Sequence, residues 1–148
     1  VLAANYTRAN RKTVKWVVFH SMEAAEKPST AEAVANWFAG KSGPAPRASA
    51  HYNIDCDSIV RSVPEVDVAW HAPGANSEGI GLEHAGYARQ TEAEWLDDYS
   101  SRMLWLSARL CADICKRWSI PVEYVDADGL KSGRGGITTH ADVYLLFT

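Results

Sequence analysis

Val14 to Phe19 reads VKWVVF, an apolar and largely β-branched run that stops at His20. A short run of that kind reads as a buried strand. Ile80 to Ala85 (IGLEHA) reads as a second strand, and Ser49 to Asp55 with Ile59 to Val63 as two more around a turn at Asp57-Ser58, a hairpin. Between them lie helical signals. Ser29 and Glu32 have capping-box spacing ahead of an Ala-rich segment, predicting a helix from about Thr30 to Ala39 with Val34, Trp37 and Phe38 as its apolar side. Thr91 and Glu94 form a second capping box. It opens one long helix in which Trp95, Tyr99, Met103, Leu106, Leu110, Ile114 and Trp118 recur every three or four residues, until Pro121 stops it. Lys41 to Arg47 and Pro73 to Ser77 are loops, and the glycine-rich, basic stretch Gly129 to Gly136 leads into Ile137-Thr138-Thr139-His140. Strands mixed with helices in this way predict an α/β layer structure, a central sheet with the long helix on one face.

The 148 residues suit a single domain. With 47% hydrophobic and 22% charged residues, the chain is neither disordered nor of low complexity. The net charge of −3, with no basic stripe, argues against nucleic acid as a partner. No apolar run reaches the roughly 18 residues of a membrane span, and the N-terminus does not read as a signal peptide. Cys56, Cys111 and Cys115 make an odd count without a Cys-x-x-Cys pair, so no disulfide framework is expected. Cys111 and Cys115, four apart in a helical pattern, read as buried small apolar residues. The sequence starts at Val1 and stops at Thr148 inside an apolar stretch, which suggests a piece of a longer, multidomain protein.

His20, His51, His71, His84 and His140 occupy strand ends and strand neighbourhoods. A single histidine is more often a hydrogen-bonded core or surface residue than a ligand, but several at strand ends gather where clefts open. No H-E-x-x-H or Cys-rich cluster is present, so spacing alone allows only a mononuclear metal site with ligands distant in sequence. Glu83 lies in an otherwise apolar strand. It either faces solvent on an edge strand or is a buried carboxylate that is paired or does chemistry. Because strand neighbours alternate, Glu83 and His84 belong on opposite faces.

Five segments in order carry a family resemblance: VVFHSM at 17–22, SAHYNID at 49–55, AWHAPG at 69–74, GIGLEHAG at 79–86 and GITTHADV at 136–143. Together they resemble the zinc N-acetylmuramoyl-L-alanine amidases of the type-2 amidase and peptidoglycan-recognition superfamily. Within it the chain looks most like the amidase domains of bacteriolytic phage endolysins from actinobacterial hosts. The resemblance covers about Val14 to Val143. It implies one domain over residues 1–148, a central mixed β-sheet flanked by α-helices, and a zinc cleft at one face. It implies one zinc ion, with His20 and His140 as ligands and Glu83 as the catalytic carboxylate. Trp70 and His71 match the W-H-A segment that borders the substrate groove, and His51 is structural or supports a ligand from behind. Tyr52 is close to a tyrosine used by another branch but two residues off, so it is carried over only as a groove residue. Asp142, two residues past His140, could orient a ligand.

The family's third ligand, an Asp or Cys some ten to twenty residues past the second histidine, has no match before Thr148, so it is expected beyond it. The implied reaction is hydrolysis of the amide between N-acetylmuramic acid and L-alanine in bacterial peptidoglycan, with Glu83 as general base. Such a lysin would be made in the host cytoplasm, act at the bacterial wall and carry further domains. The rival readings are a peptidoglycan-binding module of the same fold without catalysis, and a metal-dependent nuclease, which the acidic balance disfavours.

Overall fold

The computed structural model describes residues 1–147. The chain enters through β1 (Tyr6–Thr7), crosses the centre as β2 (Trp16–Ser21) and forms α1 (Thr30–Phe38). The hairpin β3 (Tyr52–Ile54) and β4 (Ile59–Arg61) follows, then β5 (Val68–Ala69) and β6 (Gly79–His84). Two helices come next, α2 (Glu92–Trp95) and α3 (Asp98–Trp118), before α4 (Ala127–Lys131), β7 (Gly136–Thr139) and α5 (His140–Phe147). β1 pairs with β5 in a small antiparallel ribbon. The other five strands make a mixed sheet in the order β4-β3-β6-β2-β7, parallel except for the antiparallel β3–β4 hairpin. The mixed sheet flanked by helices agrees with the expected architecture.

β2 has parallel partners along both edges and packed helices over both faces, so its sequence is a nearly unbroken apolar run. Register then sorts the side chains. Val17, Ile80, Leu82, Tyr52 and Ile54 pack on one face against Met103, Cys111 and Ile114 of α3. Trp16 and Val18 pack on the other against Ala72, Ala75, Val125, Leu130 of α4 and Val143 of α5. A third cluster gathers Ala3, Phe38, Ala50, Val63 and Ala69 under α1.

Several local expectations are corrected. The hairpin forms, but its strands are shorter than 49–55 and 59–63. Ser49 and His51 already donate their backbone N–H groups to Trp70 O and Gly81 O, and Asp55 closes the turn by accepting from the Asp57 and Ser58 N–H groups. Ser29 begins α1 without a side-chain cap; Asp55 instead accepts the Ala31 N–H from across the fold. The buried side of α1 is Ala31, Ala35 and Phe38, while Trp37 stays 45% exposed. Small alanines let the helix lie close to its neighbours, which bulkier residues would hold off.

The Thr91–Glu94 capping box forms, yet it starts only α2, because Asp97 caps a second start by accepting from Ser100 N–H. The basic glycine-rich stretch begins within α4, which Asp126 opens by accepting from Gly129 N–H. Cys111 and Cys115 are buried free thiols on α3, as read from the sequence. Among the described residues no helix is long and apolar enough to cross a membrane.

Candidate metal and catalytic site

The site lies at the carboxyl ends of the parallel strands, where open α/β sheets receive ligands. Parallel register sets His20 of β2 opposite Glu83 of β6, so the two side chains leave the same face of the sheet. On the other side of β2, Phe19 is opposite Thr139, so the next residue, His140, comes level with His20 as α5 begins. His20 Nδ1 and His140 Nδ1 are 2.8 Å apart. The sequence pair thus meets in space across 120 residues.

His20 is held from several sides. It is 8% exposed, and its Nε2 lies 2.9 Å from Nδ1 of His71. Its carbonyl accepts a hydrogen bond from His84 Nδ1, whose Nε2 lies 2.7 Å from Ser107 Oγ on α3. His84 is therefore a satisfied core histidine on the face away from Glu83, as strand alternation requires. Burial, and then the neighbouring His71, His140 and His84, hold His20 well below the usual histidine range. Burial lowers His140 as well. Both rings are neutral at pH 7, the form a metal requires.

Glu83 is half-buried, yet its Oε2 is shut off from solvent and has no hydrogen-bond partner. Burial, followed by the charge of Glu23, pushes its carboxyl up to about 8. Of the two readings left open above, the edge-strand one is excluded, since β6 lies between β3 and β2 inside the sheet.

The remaining candidates fall in different places. His71 was expected at the groove; it is 8% exposed and sits behind His20. Its ring fits because residue 81 is glycine: a Cβ there would come within 2.6 Å of His71 Cγ. We expect Gly81→Ala to push His71 away from His20, read as a shift of the His20 ring resonances in a folded protein; unchanged resonances would count against this packing. His51 is fully buried, accepts the Gly81 N–H at Nδ1 and faces Asp67 O and Arg11 through Nε2, a structural placement.

Trp70 is half-buried with its indole N–H on Thr7 Oγ1, beside the β1–β5 ribbon and outside the cleft lining. Tyr52 lies on the opposite face of the sheet and donates its hydroxyl to Glu65. Neither side chain lines the cleft beside His20 and His140 described below. The Asp142 carboxylate engages Thr139 Oγ1 and Tyr124 OH, capping the start of α5 rather than bonding the His140 ring.

Beside the histidines opens a cleft of ≈ 850 Å³ lined by Phe19, Glu23, Ala88, Trp95, Tyr144 and Leu145 with His20 and His140. None of these six was singled out as a groove residue, because they come from a strand, loops and helices that only the fold brings together. Arg11 also escaped sequence reading. It donates to Glu65 O, Asn76 O, Ser77 O and Gly79 O and reaches His51 Nε2, and burial lowers its pKa to about 10.

Two nitrogens on a common zinc, with bonds of about 2.0–2.1 Å, can stand no more than about 4.2 Å apart, so the 2.8 Å His20–His140 separation fits one ion. No third His, Cys, Asp or Glu joins them in a three-ligand group among the described residues. Only Asp55, Cys56 and Asp57 make such a group, within 4.8 Å of one another. Asp55 there already accepts three backbone N–H groups, from Ala31, Asp57 and Ser58.

These features define an α/β domain with two imidazoles and one buried carboxyl at the ends of parallel strands. The chain belongs to the N-acetylmuramoyl-L-alanine amidase family, whose model matches residues 10–145. It is 34% identical over 117 residues to N-acetylmuramoyl-L-alanine amidase A of Achromobacter lyticus, covering 78% of this chain and 58% of that relative. The chain thus spans a little over half the length of this relative. The fold is similar to that of the Staphylococcus aureus hydrolase AmiA solved with its ligand, with a TM-score of 0.68 at 19% identity over 96% of this chain and 64% of that one. It is also similar to a mutant endolysin from Bacillus subtilis, with a TM-score of 0.67 at 18% identity over 93% and 77%. At those identities the likeness speaks for the fold alone.

Proposed function

We propose that the chain hydrolyses the amide joining N-acetylmuramic acid to L-alanine in bacterial peptidoglycan, acting at the cell wall. The observation that carries this reading is the convergence of His20 Nδ1, His140 Nδ1 and the Glu83 carboxyl at one end of the sheet. Family membership supports the same bond. His20 and His140 would hold one zinc ion through Nδ1. Zinc bound there supplies Lewis acidity, polarising a carbonyl and lowering the pKa of a water towards about 7.

The chain's own residues do the rest. Glu83 Oε2, buried and without a competing partner, would take the proton of the attacking water once the carboxyl is ionised, the form a cation held by His20 and His140 would favour, and return it to the nitrogen of the leaving L-alanine. Phe19, Trp95 and Leu145 give the cleft beside His20 and His140 apolar walls. Neutral His20 and His140 keep their lone pairs free for the metal.

The test is digestion of a muramoyl-peptide of known structure after zinc loading. The expected products are a free L-alanine amino terminus and a lactyl carboxylate, seen by mass spectrometry. Binding of the substrate without any new amine would overturn this reading in favour of a non-catalytic module.

A further inference from the structure

We propose that His71 is a positioning residue that fixes the tautomer of His20, so that His20 presents an unprotonated Nδ1 to the cleft. His20 has two ring nitrogens and, when neutral, one hydrogen. A hydrogen on Nδ1 would block that atom as a ligand. Something must therefore draw the hydrogen to Nε2, and the group facing Nε2 is His71 Nδ1, 2.9 Å away.

The surroundings of His71 favour the acceptor role. Its backbone N–H and that of Ala72 both donate to Asn76 Oδ1, which pins the W-H-A turn. The ring lies against Gly81, in the space a Cβ would occupy, so it has little freedom to swing. Its far nitrogen, Nε2, is buried and has no hydrogen-bond partner. With its hydrogen on Nε2, His71 keeps a lone pair on Nδ1. His20 Nε2–H then donates to His71 Nδ1, and His20 Nδ1 is left as an acceptor opposite His140.

The same geometry excludes His71 as a third ligand beside His140. The two rings meet opposite nitrogens of His20, Nε2 and Nδ1, and so lie on different sides of it. Partners of this kind behind a metal ligand typically change metal affinity by about 10–100-fold. The consequence for zinc rests on the function proposed above; the tautomer itself does not.

Two measurements test the proposal. Long-range proton–nitrogen spectra of the metal-free wild-type protein, labelled with nitrogen-15, should show His20 protonated at Nε2 and bare at Nδ1. Hydrogen found on Nδ1 overturns the proposal without any mutation. Chelator competition then measures zinc affinity in variants. His71→Leu should weaken binding by about 10–100-fold. His71→Asn, whose Oδ1 can stand in for the acceptor nitrogen, should recover most of that loss. Equal affinities in wild type, His71→Leu and His71→Asn, or equal losses in the two variants, would reduce His71 to packing and overturn the assignment. If the wild type takes up no zinc, the functional reading fails while the spectrum still decides the tautomer.

Discussion

His140→Ala should abolish zinc retention and amide hydrolysis together in a protein that keeps its fold. His140 is the first residue of α5, and the apolar contacts of that helix run through Val143 and Leu146 instead. The helix start stays capped through Thr139 and Asp142, neither of which the change touches. What disappears is one of two facing nitrogens, leaving His20 with His71 alone. Loss of a direct ligand should exceed the roughly 10–100-fold cost of losing a partner behind one. His20→Ala should do the same to zinc and activity. Chelator competition and muramoyl-peptide hydrolysis measure both effects on the same samples. A His140→Ala protein that binds zinc with wild-type affinity would remove this residue from the ligand set.

Glu83→Gln separates chemistry from metal binding. The amide matches the carboxyl in size but cannot carry a proton, so turnover should fall by about 100-fold or more while zinc affinity and fold persist. Near-normal hydrolysis would assign the base elsewhere.

The metal-free protein offers a second reading of the same substitution. The Glu83 carboxyl titrates near 8 in the folded chain, against an ordinary value of 4.5. Below pH 4.5 both folded and unfolded chains hold the proton, and the group costs nothing. Between 4.5 and 8 the unfolded chain releases its proton first, so the folded chain binds more protons and its stability falls as pH rises. Glutamine has no such loss. At about 1.4 kcal/mol per unit, chelator-treated Glu83→Gln should gain on wild type by a few kcal/mol between pH 4.5 and pH 8. Denaturant melts at the two pH values measure it. A stability difference independent of pH would mean that Glu83 is not a buried, protonated carboxyl.

The parts of the fold written in the sequence are those where one residue's environment is set locally. β2 is covered on both faces and is apolar from Trp16 to Phe19, so VKWVVF announces it. The two-residue period of a strand is enough to separate Glu83 from His84, and His84 duly meets Ser107 on the far face. What the sequence left open was register. His20 and His140 meet only because β7 pairs in parallel with β2 at a particular offset. Tyr52 shows the sensitivity: its alignment with Leu82 rather than Glu83 sends it to the α3 side. The break between α2 and α3 was hidden because apolar periodicity continues through it, while Asp97 resembles any surface acid until its cap is seen. Asp142 was close enough to His140 to suggest a supporting role, but the start of α5 had first claim on it.

Arg11 alters where the working unit begins. The strand pattern suggests an edge at Val14, and an excision made there would look harmless by hydropathy. It would also remove the single guanidinium that ties Glu65, Asn76, Ser77 and Gly79 together beside His51. Gly79 opens β6, the strand that carries both the glycine cradle of His71 and the carboxyl of Glu83. The loop ahead of β2 thus acts as a keystone, and a transplant of this domain onto another protein has to carry residue 11 with it.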